Sequence, residues 1–466
     1  MGGGQALNFG LNHLDTFAWV GGFSSAPNTR PPADLIKDPA GAARRLRLLY
    51  VACGDQDRLL RISRGVHSML DENKVPHVYR VIPGGRHDFK VWKSDLYHFA
   101  RLLFREPERE TTPPAVNERG PAIKDVYRDH FLIGMAGDLP GNYSDEELGL
   151  VKGNFNVVTP ENCMKPARAH PGEDTWRFER PDALVRWCID NNIAIHGHTL
   201  VWHAQTSNWF FRDGDKAAVT RRMKDHISTL VGRYKGKIRS WDVVNEAIND
   251  GGNAQAARTE GLRNSSWVRA LGPEFIALAF QFAHEADPGA RLYYNDYGIE
   301  AGAKHASSMA LLKRLIKEGV PIHGVGIQGH WRADNVPYAA LDKAIADYAS
   351  LGLKVSITEL DVTVRGASGG QFGRGPGFGG RRRGEGPPPS PQDLKAQADA
   401  YARLFAIFIK HKGAVERVTF WGLSDRRTWR FGQHPLIFDS KNRRKPAYAA
   451  IVDALLHPSP DLAAPR

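Results

Sequence analysis

The chain has 466 residues, enough for one barrel of about 250–350 residues and a smaller unit besides. No apolar run approaches the roughly 18–20 residues of a membrane-spanning helix, so no membrane partner is expected. The formal charge of +12 would suit nucleic acid, but the arginines are dispersed, and the dense cluster Arg381-Arg382-Arg383 lies in a glycine- and proline-rich stretch, so no nucleic-acid partner is expected either. Cys53, Cys163 and Cys188 form neither a disulfide framework nor a metal-ligand spacing. They are expected as buried free thiols, and no ligand cluster implies a metal or an organic cofactor.

Residues 1–105 read as α/β. Arg47–Gly54 and His77–Ile82 have the composition of buried strands, and Leu59–Asn73 and Trp92–Phe104 that of helices. Asp57 follows the first strand, and His87 follows the second in Pro83-Gly84-Gly85-Arg86-His87-Asp88. An acidic loop and then a histidine loop are the late members of an α/β-hydrolase triad. The segment resembles the C-terminal half of feruloyl and acetyl xylan esterases of the esterase D-like type, with Asp57 and His87 at the triad positions. In that family the nucleophile sits in a Gly-x-Ser-Met-Gly-Gly-Gly-Gln elbow. The chain opens with Met1-Gly2-Gly3-Gly4-Gln5, so it is expected to start one residue past the serine. Ser24, Ser25, Ser63 and Ser68 show no elbow pattern. An inactive remnant is therefore expected, because Asp57 and His87 would have no hydroxyl to activate.

Residues 106–120, rich in proline, charge and threonine, read as a linker. From 121 to 458 short strand-like runs alternate with helical ones about eight times. The strand candidates are Phe131–Gly137, Asn156–Pro160, Ile193–Trp202, Ile238–Glu246, Arg291–Tyr297, Gly324–His330, Lys354–Asp361 and Arg417–Asp425. The helices between them are Pro181–Asn191, Lys216–Tyr234, Glu274–Ala286, Lys304–Glu318, Tyr338–Ser350 and Leu394–Lys412. This alternation predicts a (β/α)8 TIM barrel behind an N-terminal partial α/β-hydrolase segment. An open doubly wound sheet would need a glycine-rich phosphate turn that is not found. Residues 366–391 are low-complexity and are expected to form a loop on the face of the strand tips.

Two strands end abruptly in carboxylates. Ser240-Trp241-Asp242-Val243-Val244-Asn245 stops at Glu246, and Ser356-Ile357-Thr358 stops at Glu359. Burying an unpaired charge costs several kcal/mol. A pair of glutamates at two apolar strand tips therefore invites a chemical role, and glycoside hydrolysis is the chemistry that needs two carboxyl groups flanking one bond. The other tips carry polar and aromatic side chains suited to a sugar. They are Glu161, Asn162 and Lys165; His198, Trp202, His203 and Gln205; Asn295, Asp296 and Tyr297; Gln328 and His330; Asp361; Trp421 and Trp429.

Five motifs occur in order at these tips: Gly197-His198-Thr199-Leu200-Val201-Trp202-His203, Trp241-Asp242-Val243-Val244-Asn245-Glu246, Gly324-Val325-Gly326-Ile327-Gln328-Gly329-His330, Ile357-Thr358-Glu359-Leu360-Asp361 and Phe420-Trp421-Gly422-Leu423-Ser424-Asp425. Across about residues 120–456 the chain resembles glycoside hydrolase family 10, the endo-β-1,4-xylanases. The resemblance implies xylan and xylo-oligosaccharides as substrates, Glu246 as acid/base and Glu359 as nucleophile of a retaining double displacement. To act as acid, Glu246 must begin protonated, which burial beside a second carboxylate favours. Asn245 is placed for the sugar 2-hydroxyl, and His330 with Asp361 behind it for orienting Glu359. Glu161, Asn162, Lys165, His198, Gln205, Asn295, Tyr297 and Gln328 are candidate hydroxyl ligands, and Trp202, Trp421 and Trp429 candidate ring platforms. The role of His203 is left open, and Trp187, Trp209, Trp241 and Trp267 are assigned to packing or the rim. After Lys165 the family continues with tryptophan and an acidic loop, whereas Pro166-Ala167-Arg168-Ala169-His170-Pro171 stands here. Two other readings are carried: a non-catalytic xylan-binding protein, and part of a bifunctional esterase and xylanase. A polymeric substrate implies export, although no signal segment is present in these residues.

Overall fold

The change of pattern between the two halves of the sequence is a division in space, into compact units Met1–Pro114 and Ala115–Arg466. The computed structural model describes residues 2–82, 84–100, 102–103, 120–251, 261–364 and 388–456. The linker expected at 106–120, all but its last residue, and most of the loop expected at 366–391 lie outside them. In the first unit β1 (Trp19–Phe23), β2 (Leu48–Gly54) and β3 (Val78–Ile82) form a parallel sheet in that order. The middle strand β2 is almost entirely buried, as its unbroken apolar run requires. The last helix of the unit is Phe89–Ala100, starting three residues before the expected Trp92, because the Asp88 carboxylate accepts the Val91 N–H at 3.0 Å.

The second unit is a closed ring of eight parallel strands: β4 (Leu132–Ala136), β5 (Val157–Thr159), β6 (Ala194–Trp202), β7 (Ser240–Asn245), β8 (Arg291–Asp296), β9 (Gly324–Ile327), β11 (Lys354–Thr363) and β12 (Val415–Phe420), with a short β10 (His330–Arg332) outside it. Pairing of β12 with β4 and of β9 with β11 closes the ring. Its helices include Glu179–Asp190, Lys216–Arg233, Phe275–Ala286, Gly302–Lys317, Tyr338–Ser350 and Pro391–Lys410, near the expected bounds. Asp145–Asn154 and Pro446–Leu456 complete one helix per strand.

The expected strand Gly324–His330 is corrected to two pieces. Gly329 lies at φ +82°, in the left-handed region that glycine adopts without a Cβ clash, and there the chain steps outward. β10 then pairs with the far half of β11, which sets His330 opposite Asp361. Close approach also explains Gly326, where a Cβ would stand 2.3 Å from Asn295 Oδ1. Trp241 and Trp267 are buried, as is Trp209, in one continuous core with the helix faces. The three cysteines are buried and free. Among the described residues no helix is long and apolar enough to cross a membrane.

Candidate active site

Parallel strands in a ring all end on one face, so the residues that close β5 to β11 converge there. Adjacent register brings Trp202 of β6 beside Asn245 of β7, and Asn245 beside Asn295 of β8. Glu246 follows directly, at φ +56°, with its N–H donating to the Asn295 carbonyl at 2.9 Å. Its carboxylate accepts from Trp202 Nε1 at 2.8 Å and from Gln328 Nε2 at 2.9 Å. His203 Nδ1 lies 3.8 Å from Glu246 Oε2. His203 keeps an exposed edge, but loss of water on its inner side and the Arg263 charge lower its imidazole, so at neutral pH it adds no positive charge beside Glu246.

Glu359, on β11, has different neighbours. Asn295 Nδ2 donates to Oε1 at 2.9 Å, and His330 Nε2 lies 3.1 Å from Oε2. The other nitrogen of that ring is 2.9 Å from Asp361 Oδ2. Asp361 is fully buried, accepts from Trp429 Nε1 at 2.9 Å and lies 3.0 Å from Arg430 Nε. Burial alone would depress His330, but the Asp361 and Glu359 charges overturn it and raise the imidazole to about 9. His330 is thus a cation at neutral pH, wedged between two carboxylates.

The two glutamates are joined by amides. Gln328 Nε2 reaches Glu246 and, at 3.4 Å, Asn245 Oδ1; Asn295 Nδ2 reaches Asn245 Oδ1 at 2.9 Å and Glu359. Thr358 Oγ1 donates to Asn295 Oδ1 at 2.6 Å and so fixes which end of that amide is the donor. In the opposite orientation the Asn245 amide would donate to the Asn295 carbonyl at 3.2 Å and accept from Trp202 Nε1 at 3.2 Å, relieving the contact between Asn245 Nδ2 and that indole N–H, while its nitrogen would lie 2.9 Å from Asn295 Nδ2. Asn295, expected as a sugar ligand, is fully buried with its amide spent on protein groups. It is corrected to a brace between the two halves of the site.

The remaining candidates surround this pair. Asp138 Oδ1 accepts the N–H groups of Asn162 and Cys163, each at 3.0 Å, and so shapes the turn after β5. Lys165 Nζ lies 3.3 Å from Asn162 Oδ1 and 5.1 Å from the centre of the Trp202 ring. Burial lowers Lys165 against the charges of Glu359 and Glu161, and burial raises Glu161. His198 is buried with Nδ1 at 2.9 Å from Asp242 Oδ2, and its ring meets Trp421 edge-on at 5.3 Å. Trp421 is buried, whereas Trp429 is 47% exposed, so Trp429 presents the larger open face. Gln205 is half-buried, and its carbonyl accepts from Ala167 N–H at 2.8 Å. The Tyr297 hydroxyl donates to Asp250 at 2.7 Å and accepts from Arg263 at 3.0 Å, an ionic cluster rather than an open sugar contact. In the atypical stretch after Lys165, His170 is buried and stacks on Trp176 with ring centres 3.7 Å apart, so it serves packing.

Sequence reasoning did not single out Asp138, Thr358, Arg263 or Arg430. Thr358 and Arg430 adjoin residues that were named, and Asp138 follows a strand tip. Arg263 carries no local signal at all. In the first unit the Asp57 and His87 loops do meet: Asp57 Oδ2 is 2.8 Å from His87 Nδ1, and Asp57 Oδ1 accepts the Leu59 N–H at 2.9 Å. Burial would raise Asp57, but the Leu59 amide, the Ser24 hydroxyl and His87 hold it below the usual carboxylate range. Among the described residues no serine hydroxyl sits on His87 Nε2.

The sequence model of glycosyl hydrolase family 10 matches residues 122–454. A β-1,4-xylanase of Dictyoglomus thermophilum is 39% identical over 340 residues, covering 71% of this chain and 90% of that protein. An endo-1,4-β-xylanase/feruloyl esterase of Xylanibacter ruminicola is 38% identical over 346 residues, but this match spans only 47% of that protein. Among solved structures, a mutant of TsXylA, an intracellular xylanase from Thermoanaerobacterium saccharolyticum, in complex with xylotetraose is 35% identical with a TM-score of 0.63. That match covers 72% of this chain and 99% of the other. With the closed ring and its five tip motifs, these matches place the chain in glycosyl hydrolase family 10.

Proposed function

We propose that Glu246 and Glu359 carry out the reaction of the barrel, an endo-1,4-β-xylanase that hydrolyses internal β-1,4-xylosidic bonds of xylan with retention of configuration. The single observation that carries the assignment of roles is the asymmetry of their neighbours. Glu359 is oriented by the His330 ring, 3.1 Å from its Oε2 and backed by Asp361, and faces the site as a nucleophile must. Glu246 is held instead by the uncharged donors of Trp202 and Gln328, with no imidazole–carboxylate pair hydrogen-bonded to its oxygens among the described residues.

In the first step a Glu359 oxygen bonds to the anomeric carbon as the glycosidic C–O bond breaks. The proton of Glu246 goes to the departing oxygen. In the second, water attacks the same carbon, Glu246 takes the water's proton and Glu359 leaves as carboxylate. Asn245 offers its side-chain amide to the sugar 2-hydroxyl, a contact that strengthens in the oxocarbenium-like transition state. Glu161, Asn162, Lys165, His198 and Gln205 supply hydroxyl contacts, and Trp202, Trp421 and Trp429 the flat faces for pyranose rings. The test is reducing-sugar release from soluble xylan. Glu359→Gln and Glu246→Ala should each lower it by several orders of magnitude, about 10³-fold or more, and near-normal turnover in either would overturn the roles. The same assay separates an enzyme from a protein that only binds xylan.

For the first unit the reading is an esterase-like α/β-hydrolase segment without ester activity, because among the described residues no serine hydroxyl lies on His87 Nε2. Its support is the placement of Asp57 after β2 and His87 after β3, in contact, and the composite name of the Xylanibacter relative. That name also keeps a bifunctional esterase and xylanase as the second reading. A polymer cannot cross a membrane, so the place of action we propose is outside the cell. Activity confined to washed cell lysate and missing from culture supernatant would count against export.

A further inference from the structure

We infer that Arg263 is a positioning residue for the acid/base, fixing the backbone of Glu246 so that its carboxyl meets the leaving oxygen. The inference rests on the role given to Glu246 above. Glu246 lies in the left-handed region at φ +56°, which residues other than glycine rarely adopt and which the surroundings must enforce. Three groups do so. The Glu246 N–H is tied to the Asn295 carbonyl, and the next two N–H groups, of Ala247 and Ile248, both donate to the Tyr294 hydroxyl at 3.1 and 3.2 Å. The Glu246 carbonyl accepts from Arg263 Nε at 3.1 Å.

Arg263 is seventeen residues further on, and an antiparallel bridge between Ile248 and Leu262 returns it to the strand tip. Its own N–H donates to the Ala247 carbonyl at 2.7 Å. The guanidinium is fixed at its other edges by Asp250, 2.9 Å from Nη1, and by the Tyr297 hydroxyl, 3.0 Å from Nη2. Asp250 is held in turn by Lys304, which also pairs with the buried Asp296 at 2.9 Å. The plane of the guanidinium therefore has no freedom, and neither has the peptide it holds. That peptide sets the direction of the Glu246 side chain towards Trp202 and Gln328. Glu359 is held by the Asn295 side chain and His330, groups on which no Arg263 hydrogen bond falls, so loss of Arg263 should impair proton donation and leave nucleophilic attack intact.

Two substrates separate these steps. Xylan needs its leaving oxygen protonated, whereas a 2,4-dinitrophenyl β-xylobioside expels an acidic phenol without help, and kcat/KM reports the first step for both. Arg263→Gln should lower kcat/KM on xylan about 10- to 100-fold and on the dinitrophenyl substrate less than about threefold. Equal losses on both substrates, or no loss, would overturn the inference. Should Arg263→Gln not fold, as judged by circular dichroism, Tyr297→Phe removes one hold on the guanidinium. A smaller loss confined to xylan then supports the inference, and equal or absent losses refute it. Glu246→Ala is the control. If it spares the dinitrophenyl substrate and the Arg263 variant does not, only the inference fails; if it spares neither, the acid role of Glu246 itself is wrong.

Discussion

His330 illustrates how a single side chain converts burial into function. Unfolded, an imidazole gives up its proton near pH 6.5; in the folded site Asp361 and Glu359 overcome desolvation and hold the proton to about 9. The stabilisation from this charge is complete below about pH 6.5 and is lost as pH climbs through 9. Two consequences can be measured. The alkaline limb of kcat/KM on a 2,4-dinitrophenyl β-xylobioside, whose phenol leaves without a proton from Glu246, should fall with an apparent pKa near 9, and the thermal midpoint should decline over the same window. In Asp361→Asn the limb should move to lower pH, because the larger of the two charges raising the imidazole is gone. An unmoved limb in that variant would show that His330 does not set it.

Among the elements, the helix Asp145–Asn154 shows why local pattern is incomplete. Gly149 and Gly153 weaken it as a helix former, and its amphipathic stripe is faint, so it escaped the sequence reading. A capping box fixes its start: Ser144 Oγ accepts the Glu147 N–H at 3.2 Å, and Glu147 Oε2 accepts the Ser144 N–H at 2.9 Å. The same carboxylate takes Arg427 from the loop after β12 in a two-pronged pair, both contacts at 2.8 Å. These Arg427 hydrogen bonds, against burial, hold Glu147 down at about 2. Its contribution is therefore present above about pH 4.5 and lost as pH falls towards 2. At pH 7, Glu147→Gln should destabilise the barrel by about 2–4 kcal/mol, read as a lowered thermal midpoint, with kcat/KM well below that midpoint within about threefold. An unchanged midpoint would mean the pair contributes nothing net.

For the molecule as a whole, the two compact units predict separable behaviour. The TsXylA structure is matched over 99% of its length by 72% of this chain, so the barrel contains what such a fold needs. Residues 115–466 produced alone should hydrolyse xylan with kcat/KM within about twofold of the full chain; a loss beyond tenfold would show that the first unit is required. The full chain should release neither ferulate nor acetate from ester substrates. Ester hydrolysis abolished by His87→Ala would instead establish the bifunctional reading.

How much was legible follows from the range of the forces involved. Parallel strands buried on both faces must be short apolar runs, and the helices that cover them must be amphipathic. The ring, most of its elements and the two glutamates could therefore be read from neighbouring residues alone, although β11 runs on past Glu359 to Thr363, where the expected strand stopped at Asp361. The same locality placed Asp57 and His87 at successive loop positions. What the sequence could not settle are contacts between residues far apart along the chain. Asn295 passed for a sugar ligand until β8 was seen to set it between Asn245 and Glu359. His330 reaches Asp361 only because Gly329 turns the chain out of the ring onto the far half of β11. Arg263 and Arg427 gained partners only when loops closed across the barrel mouth, since a hydrogen bond depends on separation in space and leaves no period in the sequence.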